Sequence, residues 1–516
     1  MSRADRAAVA GLLLLSLGLS LVNLTSPFLH HCESCGTQVG KIARNFLKFG
    51  TGATGFGLLD VSGPRLAAYD DPRHYYYASH PPMTYWLASL TMRVLPGEAG
   101  IRLLPALLSV GCVALLLRIV WKVHGRETAL LAGGLLATAP MFVYMGIATV
   151  HLVVSIFFVL GSVAAYLHWR EDPRPGRFLL VAGVQLLACW TDWQGYYFAV
   201  IAGIHLLMTD RSKWAWGALL VGLNFVYFGS YVLFLYSLDP VGKAALGHLF
   251  HTGGERVALS PGMLPAYVLG EARELFLYYT IPVMGLALWS LIRVRDPLAV
   301  SLLALGLDEL LFAPYTAVHD YFTICLAPAL AVAAALEIRR WTASPPTPRR
   351  RAILAALALA ALGQAGWVLQ NRWTRVGGYE FYYRLAEAIT DVTRPEEKLA
   401  ILTNNVQFYT PYYADRYSVS WDPDAGELLT ENSGGRWKAS RADLEAFLKS
   451  NPQRLDYAVT ATPDGVRRNV RFLSGAGDPL LEAFGVRAGD PAFLESFCGP
   501  PVERKGFLFY RLPRRP

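Results

Sequence analysis

Charge is scarce in this sequence. Asp, Glu, Lys and Arg make up 17% of its 516 residues, against roughly 25% in a soluble domain. With 53% hydrophobic residues and a mean hydropathy of +0.32, that shortage excludes a wholly soluble protein. No zinc-ribbon spacing links the six cysteines, Cys32, Cys35, Cys112, Cys189, Cys325 and Cys498. Cys112 and Cys189 fall inside apolar runs and Cys325 sits early in one, so these three read as packing residues. Internal repeats and low-complexity tracts are missing, which argues against a repeat array. The opening MSRADRAAVAGLLLLSLGLSLVNL has basic residues before an apolar core but no small-residue cleavage site. It reads as an uncleaved first helix. The net charge of +8 is not a nucleic-acid footprint, because the basic residues come in short clusters between apolar runs and read as topology signals.

What the sequence has instead is a series of apolar runs near membrane-spanning length. They lie at 7–24, 103–121, 128–145, 152–167, 178–190, 193–208, 214–236, 275–292, 298–313, 321–336 and 353–369. The fold class expected is therefore an all-α polytopic membrane bundle of about eleven helices. The runs at 178–190 and 193–208 are short and could form one broken unit around Thr191-Asp192-Trp193. With the N-terminus in the cytoplasm, the inside segments RIVWKVHGRE, HWREDPRPGR, TDRSK, RVRDP and IRRWTASPPTPRRRA all carry Lys or Arg. The outside connections near 146–151, 192 and 315–320 carry none, as the positive-inside rule requires. The long loops at 25–100 and 237–273 then fall outside, together with 372–516. In that last segment strand-like pieces such as KLAILTNN alternate with helical ones such as RADLEAFLKS, so a soluble α/β or α+β domain is expected after a membrane domain of residues 1–371. The expected location is the plasma (inner) membrane, multi-pass, with this domain extracytoplasmic.

Ionisable groups at the rim of an apolar bundle are costly and default to functional roles. Here they are Glu33, Asp70, Asp71, His80, His151, Asp192, Asp308, Glu309, His319 and Asp320, all on the outer side by this topology. Glu33 precedes GTQVGKIARNFLKFG, in which Val39, Ile42, Ala43, Phe46 and Leu47 form one helical apolar face. That helix is expected to lie along the membrane surface, with Glu33 as general base or as a solvated loop acid. Cys32 and Cys35 form C-x-x-C. Outside the cytoplasm a disulfide is the ordinary reading; a metal pair with His30 or His31 lacks two clear further ligands. His80 precedes two prolines that fix an extended entry, and reads as a phosphate contact or a cap. His151 is a ligand-facing or a packed histidine, and Asp192 a functional acid or an N-cap. His319-Asp320-Tyr321 reads as a head-group site or an interface anchor. Tyr75-Tyr76-Tyr77, Tyr85 and Trp86 read as an aromatic belt.

The order of these parts resembles a family. One N-terminal span is followed by a long loop holding an acid and an IARNFLKFG helix. HPPMTYWL, a bundle and a late HDYFTICLAP span follow, and a soluble domain ends the chain. This is similar to the GT-C glycosyltransferases, in the branch of protein O-mannosyltransferases and the lipid A aminoarabinose transferase, over about residues 1–340. The resemblance implies a polyprenyl-phosphate sugar donor, an outer-face site and inverting transfer, with a first-loop acid as base. Cys35-Gly36 stands where the family often has Asp-Glu, so Glu33 is the nearest acid; His151 stands where many relatives have Asp. The expected roles are Glu33 activating the acceptor hydroxyl, alone or shared with Asp192 or Asp320, and His80 and His319 holding the phosphate. Asp192 and His151 orient sugar or acceptor, with Asp320 and Tyr321 at the head group. The acceptor is a lipid, a glycan or a protein. No cofactor is assigned; a divalent metal is a possible one, since some relatives use a divalent cation, and no metal ligand is assigned. The rival readings are a lipid-linked-sugar flippase, which would place its polar groups near the midplane in paired halves, and a non-catalytic envelope scaffold.

Overall fold

The computed structural model describes residues 2–66, 75–238, 264–306, 320–343, 347–376, 379–402, 409–422, 427–430, 435–438, 440–451, 454–461, 494–496 and 498–513. The chain is mostly helical: α1 Arg3–Ser20, α2 Ser34–Phe49, α3 Met83–Val94, α4 Glu98–His124, α5 Arg126–Thr138, α6 His151–Glu171, α7 Pro175–Cys189, α8 Gln194–Thr209, α9 Trp214–Ser237, α10 Leu264–Tyr278, α11 Ile281–Arg293, α12 Pro297–Leu303, α13 Ala327–Thr342 and α14 Pro348–Thr374. Five stretches are long and apolar enough to cross a membrane: α4, α6, Arg211–Ser237, Tyr321–Thr342 and α14. Two bent pairs, α5 with Met141–Ala148 and Tyr267–Tyr278 with α11, raise the number to as many as seven among the described residues. Among the described residues, five to seven of the eleven runs of the sequence are full spans by length and composition. α7 has 15 residues and α8 has 16, each under the ~30 Å of a bilayer core at about 1.5 Å per residue.

The run at 275–292 is not one straight helix. Its two helices meet at 114°, because Thr280 takes a left-handed φ of 64° and Pro282 cannot continue a helix from upstream. α13 is the central helix. Ala327, Ala329, Ala331, Ala333, Ala334 and Ala335 are all buried, and their small side chains let neighbouring backbones approach. α9 and α14 lie at the periphery, with only 22% and 17% of their apolar windows buried.

α6 fixes the polarity of the bundle. It starts at His151 and ends at Glu171, about 30 Å apart along a helix. At the Glu171 end, Lys122 pairs with Glu171 at 2.8 Å, His124 meets Asp296 at 3.3 Å, Arg126 pairs with Asp5, and Arg339 pairs with Glu127. Four of the five segments read as cytoplasmic contribute to this cluster. The candidate site residues lie at the other end.

That other end is covered by α2 and the C-terminal segment. The apolar face of α2 is covered by protein. Val39, Ile42, Ala43 and Phe46 share one core with Phe381, Leu385 and Ile389 of α15 (Tyr379–Val392) and with Tyr412, Phe507 and Phe509. A side chain at Gly40 would stand 2.3 Å from Ile101 and 2.8 Å from Tyr412. The C-terminal segment adds α16 Tyr409–Ala414, α17 Arg441–Ser450 and a mixed seven-stranded sheet: β1 Leu399–Ile401, β2 Ser418–Asp422, β3 Glu427–Thr430, β4 Gly435–Lys438, β5 Tyr457–Ala461, β6 Val502–Arg504 and β7 Phe507–Arg511, in the order β4-β3-β2-β1-β5-β7-β6. β1 runs parallel to β2 and β5; the other pairings are antiparallel. Cys32 and Cys35 are not joined by a disulfide; both side chains pack against the apolar core of the bundle instead.

The opposite face of α2 holds a charge. Lys41 Nζ lies 2.6 Å from Asp60 Oδ1, and neither side chain is exposed. Removing one partner of such a pair strands the other. Lys41→Met is expected to destabilise the protein by about 3–5 kcal/mol, and Lys41→Met with Asp60→Leu to recover much of it. Thermal unfolding of the detergent-solubilised protein measures both; an unchanged melting point for the single variant would refute the role.

Candidate active site

Three connections and one helix start converge at the covered end. The first is the strand-like 75–82, tied down by the Tyr77 N–H to the Leu58 carbonyl and the Asp60 N–H to the Tyr75 carbonyl. Pro81 and Pro82 carry no N–H that would need a partner. Met83 then donates to the Trp190 carbonyl at 3.1 Å as α3 begins. His80 is buried here, its ring stacked near Tyr77 at 6.0 Å.

The second connection is the turn between α7 and α8. Asp192 does not cap α8: the N-cap is Trp193, and no side chain caps the helix. Its Oδ1 accepts from the Trp193 N–H at 2.8 Å and lies 3.2 Å from His80 Nδ1. Its Oδ2 is buried without a hydrogen bond. Burial pushes the Asp192 carboxyl up, but the charges of His80 and His151 and the hydrogen bonds from His80 and Trp193 outweigh it, so the group stays below the usual carboxylate range.

The third connection precedes α6. Val150 has a φ of 51°, a strained value for a β-branched residue. It follows a π-helical turn at Met141–Met145 and starts α6 with His151 turned inward. The His151 ring lies 4.9 Å from that of His80 and 6.4 Å from Tyr321, which meets it edge-on. Tyr321 belongs to the 3₁₀ turn Asp320–Leu326 that leads into α13.

The structure thus brings together His80, His151, Asp192 and Tyr321. Asp320 opens the same turn. His319, Asp308, Glu309, Asp70 and Asp71 lie outside the described residues. Glu33 is buried in an ion-pair cluster of its own. Its Oε1 accepts from Arg102 at 2.7 Å; its Oε2 accepts from the His30 N–H at 2.8 Å and lies 3.1 Å from His30 Nδ1. Burial raises this carboxyl too, but His30 and Arg102 hold it below its usual range.

Sequence reasoning missed several supports. Tyr231 donates from its hydroxyl to the carbonyls of Ala78 and His80 at 3.0 and 3.3 Å, and the Trp193 indole donates to that of Ser79 at 3.3 Å. Arg102 stands at the edge of an apolar run, where a lone cation signals a buried partner. Tyr77 and Tyr85 turn inward rather than forming a belt: Tyr85 is buried and Tyr77 contacts both it and His80.

Against this geometry, residues 79–230 match the family model "Dolichyl-phosphate-mannose-protein mannosyltransferase", a segment that holds His80, His151 and Asp192. The structure of ArnT from Cupriavidus metallidurans in the apo state superposes with a TM-score of 0.62 over 98% of both chains, at 15% identity. The same protein bound to undecaprenyl phosphate gives 0.59, at 14% identity, over 98% of this chain and 97% of that one. The archaeal oligosaccharyltransferase AglB from Archaeoglobus fulgidus, with an inhibitory peptide and a dolichol-phosphate, gives 0.52 at 12% identity, over 99% of this chain and 75% of that one. No curated protein matches the sequence. The fold is that of the GT-C glycosyltransferases.

Within this GT-C fold the fit of a divalent cation is set by one group. His80, His151 and Asp192 each offer a ligand atom, all within 4.8 Å of one another and all buried, and the hydrogen-bond-free Oδ2 of Asp192 is a natural oxygen donor. Imidazole and carboxylate suit zinc or another transition ion. These three side chains would hold it.

The two carboxylates give a pH signature. Each has a folded value below its unfolded one, so each stabilises the fold above about pH 4, and this share is lost as pH falls through the folded value. Glu33→Gln is expected to melt below wild type at pH 7, with the gap closing below about pH 4. Melting curves from pH 7 to 3 test this; a constant gap would contradict it.

Proposed function

We propose that the chain is an integral membrane glycosyltransferase. It moves a sugar from a polyprenyl-phosphate donor to an acceptor hydroxyl on the extracytoplasmic face, with inversion at the anomeric carbon. The observation that carries this reading is the burial of two imidazoles and a carboxylate against one another at the bundle end remote from the basic cluster. The match to a mannosyltransferase family model over the same residues supports it. So does the undecaprenyl phosphate bound in one fold relative and the dolichol-phosphate bound in another. The N-terminus and the basic ends of the helices are cytoplasmic in this reading, and residues 372–516 form the extracytoplasmic domain.

The chemistry follows from the groups present. The acceptor O–H loses its proton to Asp192 Oδ2, and its oxygen attacks the anomeric carbon from the face opposite the phosphate. The bond from that carbon to the phosphate oxygen breaks, and the electron pair leaves with the phosphate. A phosphate departs as a stable anion, so no acid need protonate it. His80 takes the departing charge, the role expected of His319 as well, and His151, Asp320 and Tyr321 orient sugar and head group. A cation held by His80, His151 and Asp192 would take up this same Oδ2, so with it bound Asp192 would serve as a ligand instead of the base, and the cation would supply charge stabilisation to the phosphate. Asp192 takes the role first expected of Glu33, because both Glu33 oxygens are engaged. Glu33 instead fastens the first loop to α4 through Arg102.

Purified protein with a labelled polyprenyl-phosphate sugar tests the assignment through release of polyprenyl phosphate. Asp192→Asn is expected to lower turnover about 10²–10⁴-fold, with donor binding retained. His80→Ala should weaken donor binding as well. Glu33→Gln should act mainly through the amount of folded protein. Full turnover in Asp192→Asn, with Glu33→Gln inactive but folded, would return the base to Glu33.

A further inference from the structure

A second polar cavity lies away from the His80 cluster and shares no residue with it. It measures about 300 Å³ and is lined by His31, Arg273, Leu277, Trp367, Val368, Asn371, Arg372 and Arg375. Three guanidiniums and an imidazole line it; among the described residues no carboxylate does. Arg372 lies 5.1 Å from the Tyr278 ring centroid. Arg273 and Arg375 make no ion pair among the described residues.

The position of the cavity says what kind of anion it meets. Arg273 and Leu277 lie on α10. Trp367 to Arg372 form the last turns of α14, and Arg375 caps it. Both helices face outward: Val268 and Leu269 on α10 and Leu359 and Leu362 on α14 are more than half exposed, as side chains in contact with lipid chains are. Trp367 is also exposed, at the level where an aromatic ring meets head groups. A phosphate entering here can leave its apolar tails against these helices without leaving the bilayer. A guanidinium matches phosphate oxygens in pairs.

We infer that the cavity between the ends of α10 and α14 binds the phosphate of a membrane lipid, at a site separate from the donor phosphate at His80. His31 ties it to the first loop. Its carbonyl accepts the Tyr144 hydroxyl at 2.7 Å, and Glu33 lies two residues on. A lipid seated here therefore sets the position of the loop that carries Glu33.

The test uses the full chain in detergent micelles, titrated with phosphatidylglycerol or phosphatidylcholine and read by native mass spectrometry. Wild type is expected to retain phosphatidylglycerol at least about tenfold better than phosphatidylcholine, a difference that needs no variant. Arg273→Gln with Arg375→Gln should abolish the preference, and Arg273→Lys with Arg375→Lys should keep most of it, which separates charge from folding. His80→Ala should leave it intact, so failure of the transferase reading and failure of this one are distinguishable. Equal retention of the two lipids by wild type, an unchanged preference in the glutamine pair, or displacement of the lipid by millimolar inorganic phosphate would each overturn the assignment.

Discussion

The site depends on how a stretch of chain without helical hydrogen bonds is held against an apolar bundle. Backbone groups left unpaired at membrane depth cost several kcal/mol each. Residues 75–82 escape that cost by borrowing partners from distant helices. A phenol from α9 and an indole from the turn before α8 cover three successive carbonyls, while two prolines remove two donors. Once the backbone at His80 is fixed in this way, its imidazole has little freedom left, and the hydrogen bond to Asp192 holds the ring. Tyr231 and Trp193 therefore act on His80 as firmly as any group that touches its ring.

Three buried carboxylates then illustrate three uses of charge. Asp60 meets Lys41 with both side chains shut from solvent, which locks α2 onto the 58–62 strand; Asn45 adds hydrogen bonds to the carbonyls of Leu59 and Val61. Glu33 is held from both sides, by a guanidinium and by the backbone and ring of His30. Asp192 keeps Oδ2 without a hydrogen bond; the oxygens of Asp60 lack hydrogen bonds too, but that carboxylate is paired with the Lys41 ammonium. Desolvation opposes ionisation of Glu33 and Asp192, and nearby cations and hydrogen bonds outweigh it in both. A carboxylate with an unused oxygen in a dry pocket is the one able to accept a proton from a ligand.

Much of this was legible in the sequence, and the reason differs for each part. The apolar runs and the basic segments between them marked the bundle and its two ends, because the cost of burying charge is paid residue by residue and leaves a local trace. His80, His151, Asp192 and Tyr321 stood out for the same reason, being polar groups at the rim of apolar runs. Tyr231 and Arg102 were not legible as partners. Tyr231 looks like any aromatic residue in an apolar helix, and only the tertiary fold brings its hydroxyl to Ala78 and His80. The amphipathic pattern of α2 gave its apolar face correctly but not what covers that face, since a helix against a membrane and a helix against a sheet need the same periodicity. The break at Thr280 was hidden because the run 275–292 is apolar throughout; Pro282 was the only local sign.

Five irregularities of the bundle gather at one end. The bend after α5, the strained Val150, the α7–α8 turn, the break at Thr280 and the 3₁₀ turn at Asp320–Leu326 all lie toward His80. The Tyr279 hydroxyl donates to the Thr323 carbonyl and joins the last two of these. Broken helices are tolerated in a membrane protein only where protein or a polar cavity covers them. Polar side chains from four separate elements, however, meet only if those elements end or bend at the same level. The polar cluster thus requires the breaks, and the breaks require a cover. α2 and the C-terminal segment supply it, sharing one core with Ile101 and Leu104 of α4. The C-terminal segment is therefore tied physically to the polar cluster beneath it.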